Sequence, residues 1–245
     1  GHTALMQRAA VECDVAAATI FVNPLQFGPT EDLAAYPRDL EGDTAKAAAA
    51  GVAYLFVPPA TEMYPEPVQT TVSVGGVSEG MEGAARPDHF AGVATVVAKL
   101  FNIAGPCRAY FGEKDHQQLQ VVRRMTSDLS FPVEIVGCPT VREPDGLALS
   151  SRNAYLTAEE RAAAPVLYRA LEAGAAAVRA GDGTGGPSAI EAAMATVIAT
   201  EPLADLDYCT AVPGPSEWRL YVAARLGRAR LIDNIGVPAP DLEVS

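Results

Sequence analysis

Apolar runs short enough to be β-strands alternate with helical patterns through the first part of this chain of 245 residues. The predicted strands are residues 15–22, 53–57, 107–111 and 133–136, with 70–74 as a possible further strand. The predicted helices are residues 3–10, 39–51, 90–103 and 117–129. Continuous apolar runs are typical of parallel strands that are covered on both faces. The alternation therefore predicts an α/β domain built on a parallel sheet.

Two short motifs predict helix starts in the second part of the chain. Thr157 with Glu160, and Ser188 with Glu191, have the spacing of a capping box, in which both side chains bond the backbone of the first turn. The first motif predicts a long alanine-rich helix, and the second predicts a further helix.

Strands are predicted after these helices, at residues 206–212 and 220–235, with a turn at residues 226–228. We therefore expect a smaller α+β domain at residues 141–245, closing over the site of a larger domain at residues 1–140. Residues 181–186 match the pattern Gly-x-Gly-x-x-Gly, but they follow a helix instead of a strand. We interpret this stretch as a flexible linker because a dinucleotide fingerprint needs a preceding strand.

Polar residues gather where predicted strands end, at residues 23–26, 112–118 and 142–153. In open α/β sheets, ligands bind beyond the carboxyl ends of the strands. The three clusters therefore predict one composite site, with loop residues 36–38 and 86–90 as further candidates.

Ser150, Ser151 and Arg152 are the most informative of these polar residues. Hydroxyls are neutral donors, and a guanidinium is a rigid fork of charged donors that matches phosphate geometry. This combination on a loop favours phosphate binding. A serine-rich helix start with a surface arginine is the alternative interpretation.

The cluster at Gly112, Lys114 and Asp115 also suits a nucleotide. Lysine can stabilise charge on a transferred phosphoryl group, and an acidic side chain can accept hydrogen bonds from ribose hydroxyls. An exposed helix N-terminus, where the helix dipole favours acidic residues, is the alternative. Gln26 and Gln118 are neutral amides that can orient a small polar substrate, or else ordinary loop residues.

Composition limits the class of partner. A net charge of −12 and a pI near 4.7 argue against a nucleic-acid or anionic-membrane surface, which would need a basic face. No apolar run approaches membrane-spanning length. The four cysteines are scattered and share no metal-ligand spacing with the three histidines, so we expect a reduced, cytoplasmic protein. His2, which precedes a helix, can donate to a phosphate or be a surface residue.

Several of these motifs, taken in order, resemble the pantothenate synthetase (pantoate–β-alanine ligase) family. The resemblance begins with Phe-Val-Asn-Pro-Leu-Gln-Phe-Gly at residues 21–28 and covers nearly the whole chain. It continues at residues 36–38, 89–93, 111–115, 117–119, 150–153 and 231–234. The alanine-rich, acidic composition is similar to that of actinobacterial members.

The resemblance implies a Rossmann-type nucleotidyltransferase domain and a reaction in two steps. The carboxylate of pantoate attacks the α-phosphorus of ATP, which gives pantoyl adenylate and pyrophosphate. The amine of β-alanine then attacks the adenylate, which gives pantothenate and AMP. The family also implies Mg²⁺ with ATP and a homodimer.

The resemblance assigns roles to individual residues. His2 matches the second histidine of the family signature, a phosphate ligand. The other matches are triphosphate contacts at Lys114, Ser150, Ser151 and Arg152, ribose contacts at Gly112 and Asp115, an adenine contact at Val141, and pantoate contacts at Gln26 and Gln118.

The chain departs from the family pattern in three places, one of which is the short link at residues 213–216. The first signature histidine and the first strand would precede Gly1, so we expect a longer natural protein. Leu149 replaces the usual methionine before the two serines, a swap of similar volume. A related nucleotidyltransferase that stops at a nucleotidyl product, and a non-catalytic nucleotide-binding protein, are the alternatives.

Overall fold

The computed structural model describes residues 1–28, 33, 38–181 and 186–239. The chain divides into two compact units, an N-terminal unit (Gly1–Pro139) and a C-terminal unit (Thr140–Ser245). Tyr36 and Pro37 of the predicted site loop, and residues 182–185 of the predicted linker, lie outside the described residues. Among the described residues, no helix has both the length and the apolar character to cross a membrane.

The N-terminal unit alternates helices and strands as predicted. Its helices are α1 (His2–Glu12), α2 (Leu40–Ala49), α3 (Ala60–Met63), α4 (Met81–Ala85), α5 (His89–Ala104) and α6 (His116–Asp128). Its strands are β1 (Ala17–Thr19), β2 (Tyr54–Phe56), β3 (Cys107–Gly112) and β4 (Val133–Cys138). Parallel pairing is confirmed: β1 pairs with β2, and β3 pairs with β4.

The strands β1 and β2 are shorter than predicted. Backbone pairing extends one step beyond each end, where Ala53 N–H donates to Ala16 and Ile20 N–H donates to Phe56. The chain then meets Pro24 after β1 and two prolines after β2, which have no N–H to offer a ladder. The two prolines therefore limit β2, whereas β1 ends at Thr19, several residues before Pro24.

The prediction of a strand at residues 70–74 is wrong. The segment is irregular, and the backbone N–H of Val72 donates to Thr95 Oγ1 of α5 at 2.9 Å. Val72 and Val74 are partly buried against the core of this unit. The apolar alternation thus reflects packing on a helix, with a side-chain oxygen replacing a neighbouring strand.

The core of the N-terminal unit is built by α5 and α6. Phe90, Val93, Val97 and Phe101 recur at helical spacing on α5 and are all buried. They belong to one apolar cluster with side chains of α6, including Val121, Val122 and Met125.

The C-terminal unit is an antiparallel sheet with helices packed against it. Its helices are α7 (Ala158–Ala163), α8 (Val166–Arg179) and α9 (Gly186–Ile198), and its strands are β5 (Ala204–Pro213), β6 (Glu217–Leu226) and β7 (Ala229–Pro238). The strand order β5-β6-β7 follows the chain, with the predicted turn between Leu226 and Ala229. At Gly174 of α8, a Cβ would lie 2.8 Å from Met194 Cγ and 2.9 Å from Leu220 Cδ1, so a glycine lets α8 approach closely.

Two helix predictions need correction. The long helix predicted after Thr157 is divided into α7 and α8 at Pro165, which cannot continue the hydrogen bonding of the preceding turn. The capping box of Thr157 and Glu160 is confirmed, with hydrogen bonds of 2.8 and 3.2 Å. The box predicted at Ser188 is wrong, because α9 begins at Gly186 and Glu191 accepts a hydrogen bond from the backbone of Ala211 instead.

Candidate active site

Gln26 ends a short 3₁₀ turn that follows β1. The buried side chain of Asn23 organises this turn. Its Oδ1 accepts hydrogen bonds from the backbone N–H of Leu25 at 3.3 Å and from the Tyr64 hydroxyl at 2.9 Å. Its Nδ2 donates to Gly92 O at 3.1 Å and to Gln26 Oε1 at 3.3 Å. Asn23 therefore orients the side-chain amide of Gln26.

The backbone of Gln26 is held by a second pair of side chains. Its carbonyl oxygen accepts from His89 Nδ1 at 3.0 Å and from Arg86 Nη2 at 3.3 Å. Arg86 Nη1 also lies 3.2 Å from His89 Nε2. This pattern suits a neutral imidazole that donates through Nδ1 and accepts through Nε2. Neighbouring side chains thus fix both the backbone carbonyl group and the side-chain amide of Gln26.

Gly92 allows α5 to pack directly on this turn. A Cβ at Gly92 would lie 2.7 Å from Gln26 Cα and would overlap the Leu25 carbonyl group. Both neighbours are backbone atoms, which cannot rotate away as a side chain would. The position of Gln26 relative to α5 therefore depends on a glycine at residue 92.

The junction of β3 and α6 carries the second predicted cluster. Gly112 ends β3, a 3₁₀ turn spans Glu113–Asp115, and Gln118 lies in the first turn of α6. Lys114 Nζ lies 3.7 Å from Asp115 Oδ1, and the lysine side chain is 18% exposed against 48% for the aspartate. A half-buried cation thus stands at the carboxyl end of a parallel strand, where ligands of open α/β sheets bind.

Gln117 was not assigned a role from the sequence, yet it is buried in a dense hydrogen-bond network. Its Nε2 lies within 3.1–3.3 Å of the carbonyl oxygens of Val77, Glu79 and Gly80, and its Oε1 accepts from Glu82 N–H. Gln117 therefore anchors the loop at residues 77–82 beside the helix start that carries Gln118. A buried amide in the middle of a polar motif was the available signal.

The remaining predicted residues of the C-terminal unit lie around a hairpin turn. Val141 accepts a hydrogen bond from Leu149 N–H at 2.9 Å, which closes the turn. Ser150 is the N-cap of the 3₁₀ helix Ser151–Tyr155, and its Oγ accepts from Arg152 N–H at 3.3 Å. Val141 thus begins the hairpin, and the residues of the predicted phosphate loop directly follow Leu149, which pairs with Val141.

An ion pair fixes the tip of this hairpin. Arg161 Nη1 donates to Asp145 Oδ2 at 2.6 Å, and this hydrogen bond holds the pKa of Asp145 below its usual value. Asp145 Oδ1 also accepts from Leu147 N–H at 3.2 Å. The charged tip is therefore ordered by α7, which carries Arg161.

The predicted site residues divide between the two units. His2, Gln26, Gly112, Lys114, Asp115 and Gln118 belong to the N-terminal unit, and Val141, Ser150, Ser151 and Arg152 belong to the C-terminal unit. His2 is exposed at the first position of α1. Within the described part of the chain, no group of three or more His, Cys, Asp and Glu side chains is arranged to hold a metal ion.

Comparison with known proteins identifies relatives across nearly the whole chain. The family described as pantoate-beta-alanine ligase matches residues 1–236. The pantothenate synthetase of Chloroflexus aggregans is 54% identical over 244 residues, which cover 96% of this chain and 87% of the relative. That of Deinococcus radiodurans is 52% identical over 261 residues, with 98% and 92% covered.

Solved structures agree with the sequence comparison. The pantothenate synthetase of Thermus thermophilus has a TM-score of 0.89 at 52% identity, with 96% of this chain and 88% of that chain covered. A pantoate-beta-alanine ligase of Francisella tularensis, in complex with beta-gamma ATP and beta-alanine, has a TM-score of 0.80 at 32% identity, with 96% and 84% covered. These likenesses confirm the nucleotidyltransferase-type α/β fold with a smaller α+β unit. By fold, and by a sequence match from residue 1 to residue 236, the chain belongs to the pantoate–β-alanine ligase family.

Proposed function

We propose that this protein condenses pantoate with β-alanine in a reaction driven by ATP and releases pantothenate, AMP and pyrophosphate. The observation that carries the proposal is the family match over residues 1–236, with curated relatives above 50% identity. A family member that is 32% identical was solved with ATP-type nucleotide and β-alanine together, the two ligands that such a reaction needs besides pantoate.

In the first step, the carboxylate oxygen of pantoate forms a bond to the α-phosphorus of ATP while pyrophosphate leaves. Gln26 and Gln118 would hold pantoate, since amides donate to a carboxylate and exchange hydrogen bonds with hydroxyls. The contacts of Asn23, Arg86 and His89 support this role for Gln26, because they fix its amide and its backbone before substrate arrives. Such preorganisation lowers the entropic cost of ordering the site when substrate binds.

The contacts proposed for the nucleotide follow the family resemblance. Gly112 and Asp115 would contact ribose, Val141 the adenine, and Lys114, Ser150, Ser151, Arg152 and His2 the phosphates. An in-line attack at phosphorus needs no protein nucleophile, so catalysis depends on position and on charge stabilisation. Lys114, Ser150, Ser151 and Arg152 would stabilise the charge that grows on the phosphate oxygens.

In the second step, the amine of β-alanine forms a bond to the carbonyl carbon of pantoyl adenylate, and AMP leaves with the carbonyl–oxygen bond broken. Mg²⁺ would enter with ATP and neutralise its phosphates. This mode suits the site, because Mg²⁺ is commonly held mainly by substrate phosphates, which ATP itself brings, without a cage of protein ligands.

We also propose a homodimer and a cytoplasmic location. Tyr54, Phe56 and Val57 in and after β2 are exposed apolar side chains, which a second copy of the chain would cover. The free thiols of Cys13, Cys107, Cys138 and Cys209 suit a reducing compartment. Sedimentation at several protein concentrations tests the dimer.

The test of function is the formation of AMP and pantothenate by the full-length protein. Product should require ATP, pantoate and β-alanine together. Replacing Lys114 with alanine should lower kcat by about 100- to 1,000-fold, because a charge that stabilises the transition state is lost. Lys46→Ala, which removes an exposed surface lysine, is the matched control and should leave kcat unchanged.

Two results would contradict the proposal. AMP formation that does not depend on pantoate and β-alanine excludes the ligase reaction. Pyrophosphate release with another acceptor, and none with pantoate, would favour a nucleotidyltransferase that stops at a nucleotidyl product.

A further inference from the structure

Arg142 and Asp233 form a bidentate ion pair in the C-terminal unit. Arg142 Nη1 donates to Asp233 Oδ2 at 2.6 Å, and Nη2 donates to Asp233 Oδ1 at 3.0 Å. The aspartate side chain is 3% exposed and the arginine side chain 18% exposed. Two charges that are 91 residues apart in the chain therefore meet in a largely buried position.

The guanidinium fork also reaches beyond the carboxylate. Nη1 donates to Gly146 O at 3.0 Å, and Nη2 donates to Asn234 O at 3.3 Å. The guanidinium carbon lies 4.3 Å from the centre of the Tyr168 ring of α8. Asp233 Oδ1 in turn accepts from Asn234 N–H at 2.8 Å. Arg142 thus ties the hairpin at residues 141–149 to both β7 and α8.

Arg142 is the second residue of the hairpin and lies opposite Ala148. Arg142 forms an isolated antiparallel bridge with Ala148, and the next pair toward the open end of the hairpin is Val141 with Leu149. Asn153 Nδ2 donates to Ala148 O at 3.1 Å, which couples the 3₁₀ helix of Ser151 and Arg152 to the same bridge. Holding Arg142 in place therefore fixes the first residues of the hairpin relative to the 3₁₀ helix that follows it.

A buried ion pair is weak evidence for a stabilising role. Removing two charges from water offsets much of their attraction, and buried pairs can often be replaced by apolar residues without loss of stability. A rigid fork bound at four acceptors does, however, define one geometry. We propose that Arg142 and Asp233 are positioning residues for ATP, which set the spacing between Val141 and the loop of Ser150, Ser151 and Arg152.

This inference rests on the proposed function, in which the two ends of the hairpin contact the adenine and the phosphates of one nucleotide. Loss of the pair should then weaken ATP contacts selectively. A displacement of about 1 Å can change rate or binding by about 10- to 100-fold, so an effect of at least about tenfold on ATP is expected.

The experiment compares Asp233→Asn and Arg142→Lys with a matched control, Asp207→Asn. Asp207 pairs with Arg230 at 2.7 Å on the same sheet, and its side chain is 37% exposed. Calorimetry gives the Kd of ATP, initial rates give KM for each substrate, and urea titration gives stability. Both test variants should raise Kd and KM for ATP by about tenfold or more, while KM for β-alanine changes by less than about twofold. Arg142→Lys keeps the positive charge but loses the bidentate guanidinium group. The control, Asp207→Asn, should leave the Kd of ATP and all KM values unchanged.

The inference is overturned if folded Asp233→Asn binds ATP as tightly as Asp207→Asn, even when its stability is lower. If Asp233→Asn does not fold, Arg142→Lys decides by the same criterion. Failure of the proposed function gives a different result: the unaltered protein would bind ATP but form no pantothenate, and the comparison of ATP affinities would still stand.

Discussion

The N-terminal unit pairs short parallel strands, whereas the C-terminal unit pairs antiparallel strands of ten residues each. In the first unit, β1 and β2 have three residues each, and hydrogen-bonded side chains such as Asn23 and Gln117 hold the surrounding loops. In the second unit, the sheet and helices enclose an apolar core, and an ion pair joins the 141–149 hairpin to that sheet. One chain can thus fix its loops by neutral amide networks in one unit and by attachment to a rigid sheet in the other.

The largest effect should come from the core of the C-terminal unit. Leu220→Ala removes a fully buried side chain of β6 and should lower the free energy of unfolding by about 2–5 kcal/mol. Val212→Ala on the neighbouring strand is the control, since Val212 is 39% exposed and should lose about 1 kcal/mol or less. Urea titration of both variants measures the difference, and an equal loss at the two positions would contradict a tightly packed sheet core.

A smaller effect should follow from breaking the amide network of the N-terminal unit. Gln117→Leu removes the side-chain acceptor of the buried Glu82 N–H and a donor to the carbonyl oxygens of Val77, Glu79 and Gly80, of which Gly80 O keeps Ala84 N–H. The free energy of unfolding should fall by about 1–3 kcal/mol, the usual cost of unsatisfied buried polar groups.

Gln120→Leu, which removes one side-chain contact with His116, is the control for the amide network and should cost less. Hydrogen exchange of the amides at residues 77–82 adds a local readout. If exchange in this loop is no faster in Gln117→Leu than in the control, the loop is held by something other than Gln117.

The smallest effect concerns two motifs that look alike in sequence and differ in structure. Thr157→Ala removes a real capping box and should cost about 1 kcal/mol. Ser188→Ala changes an exposed residue inside α9 and should stay within about 0.5 kcal/mol. Thermal unfolding of the two variants side by side separates them, and equal shifts in Tm would mean that the Thr157 box adds nothing to α7.

Local patterns predicted most elements of the fold. The helices α5 and α6 and the strands β3 and β4 follow from apolar periodicity, and Gly227 marks the turn before β7. Two of the errors arose where a distant partner competed with a local rule. Glu191 bonds Ala211 of β5 instead of capping a helix, and Thr95 of α5 takes the place of a strand beside Val72.

The candidate site divides in the same way. Strand ends located Gln26 and the residues from Gly112 to Gln118, and the roles of these residues remain predictions from the family resemblance. Residues 86–90 were candidates for the same site, but the contacts of Arg86 and His89 with the backbone of Gln26, 60 and 63 residues away, could not be predicted from local patterns. Asp233 belonged to a motif without a role, and only the folded chain brings it to Arg142.

The order in which β5, β6 and β7 follow one another also bears on the time course of folding. Each strand pairs with its neighbour along the chain, so the sheet can close by two successive hairpins. In the N-terminal unit, Ala17 must find Tyr54 and Cys107 must find Val133 across intervening helices. Folding slows as contacting residues become more distant in sequence, so the C-terminal sheet should form first on refolding from denaturant. During synthesis the slower unit leaves the ribosome first, and its apolar strands stay unpaired for the longest time.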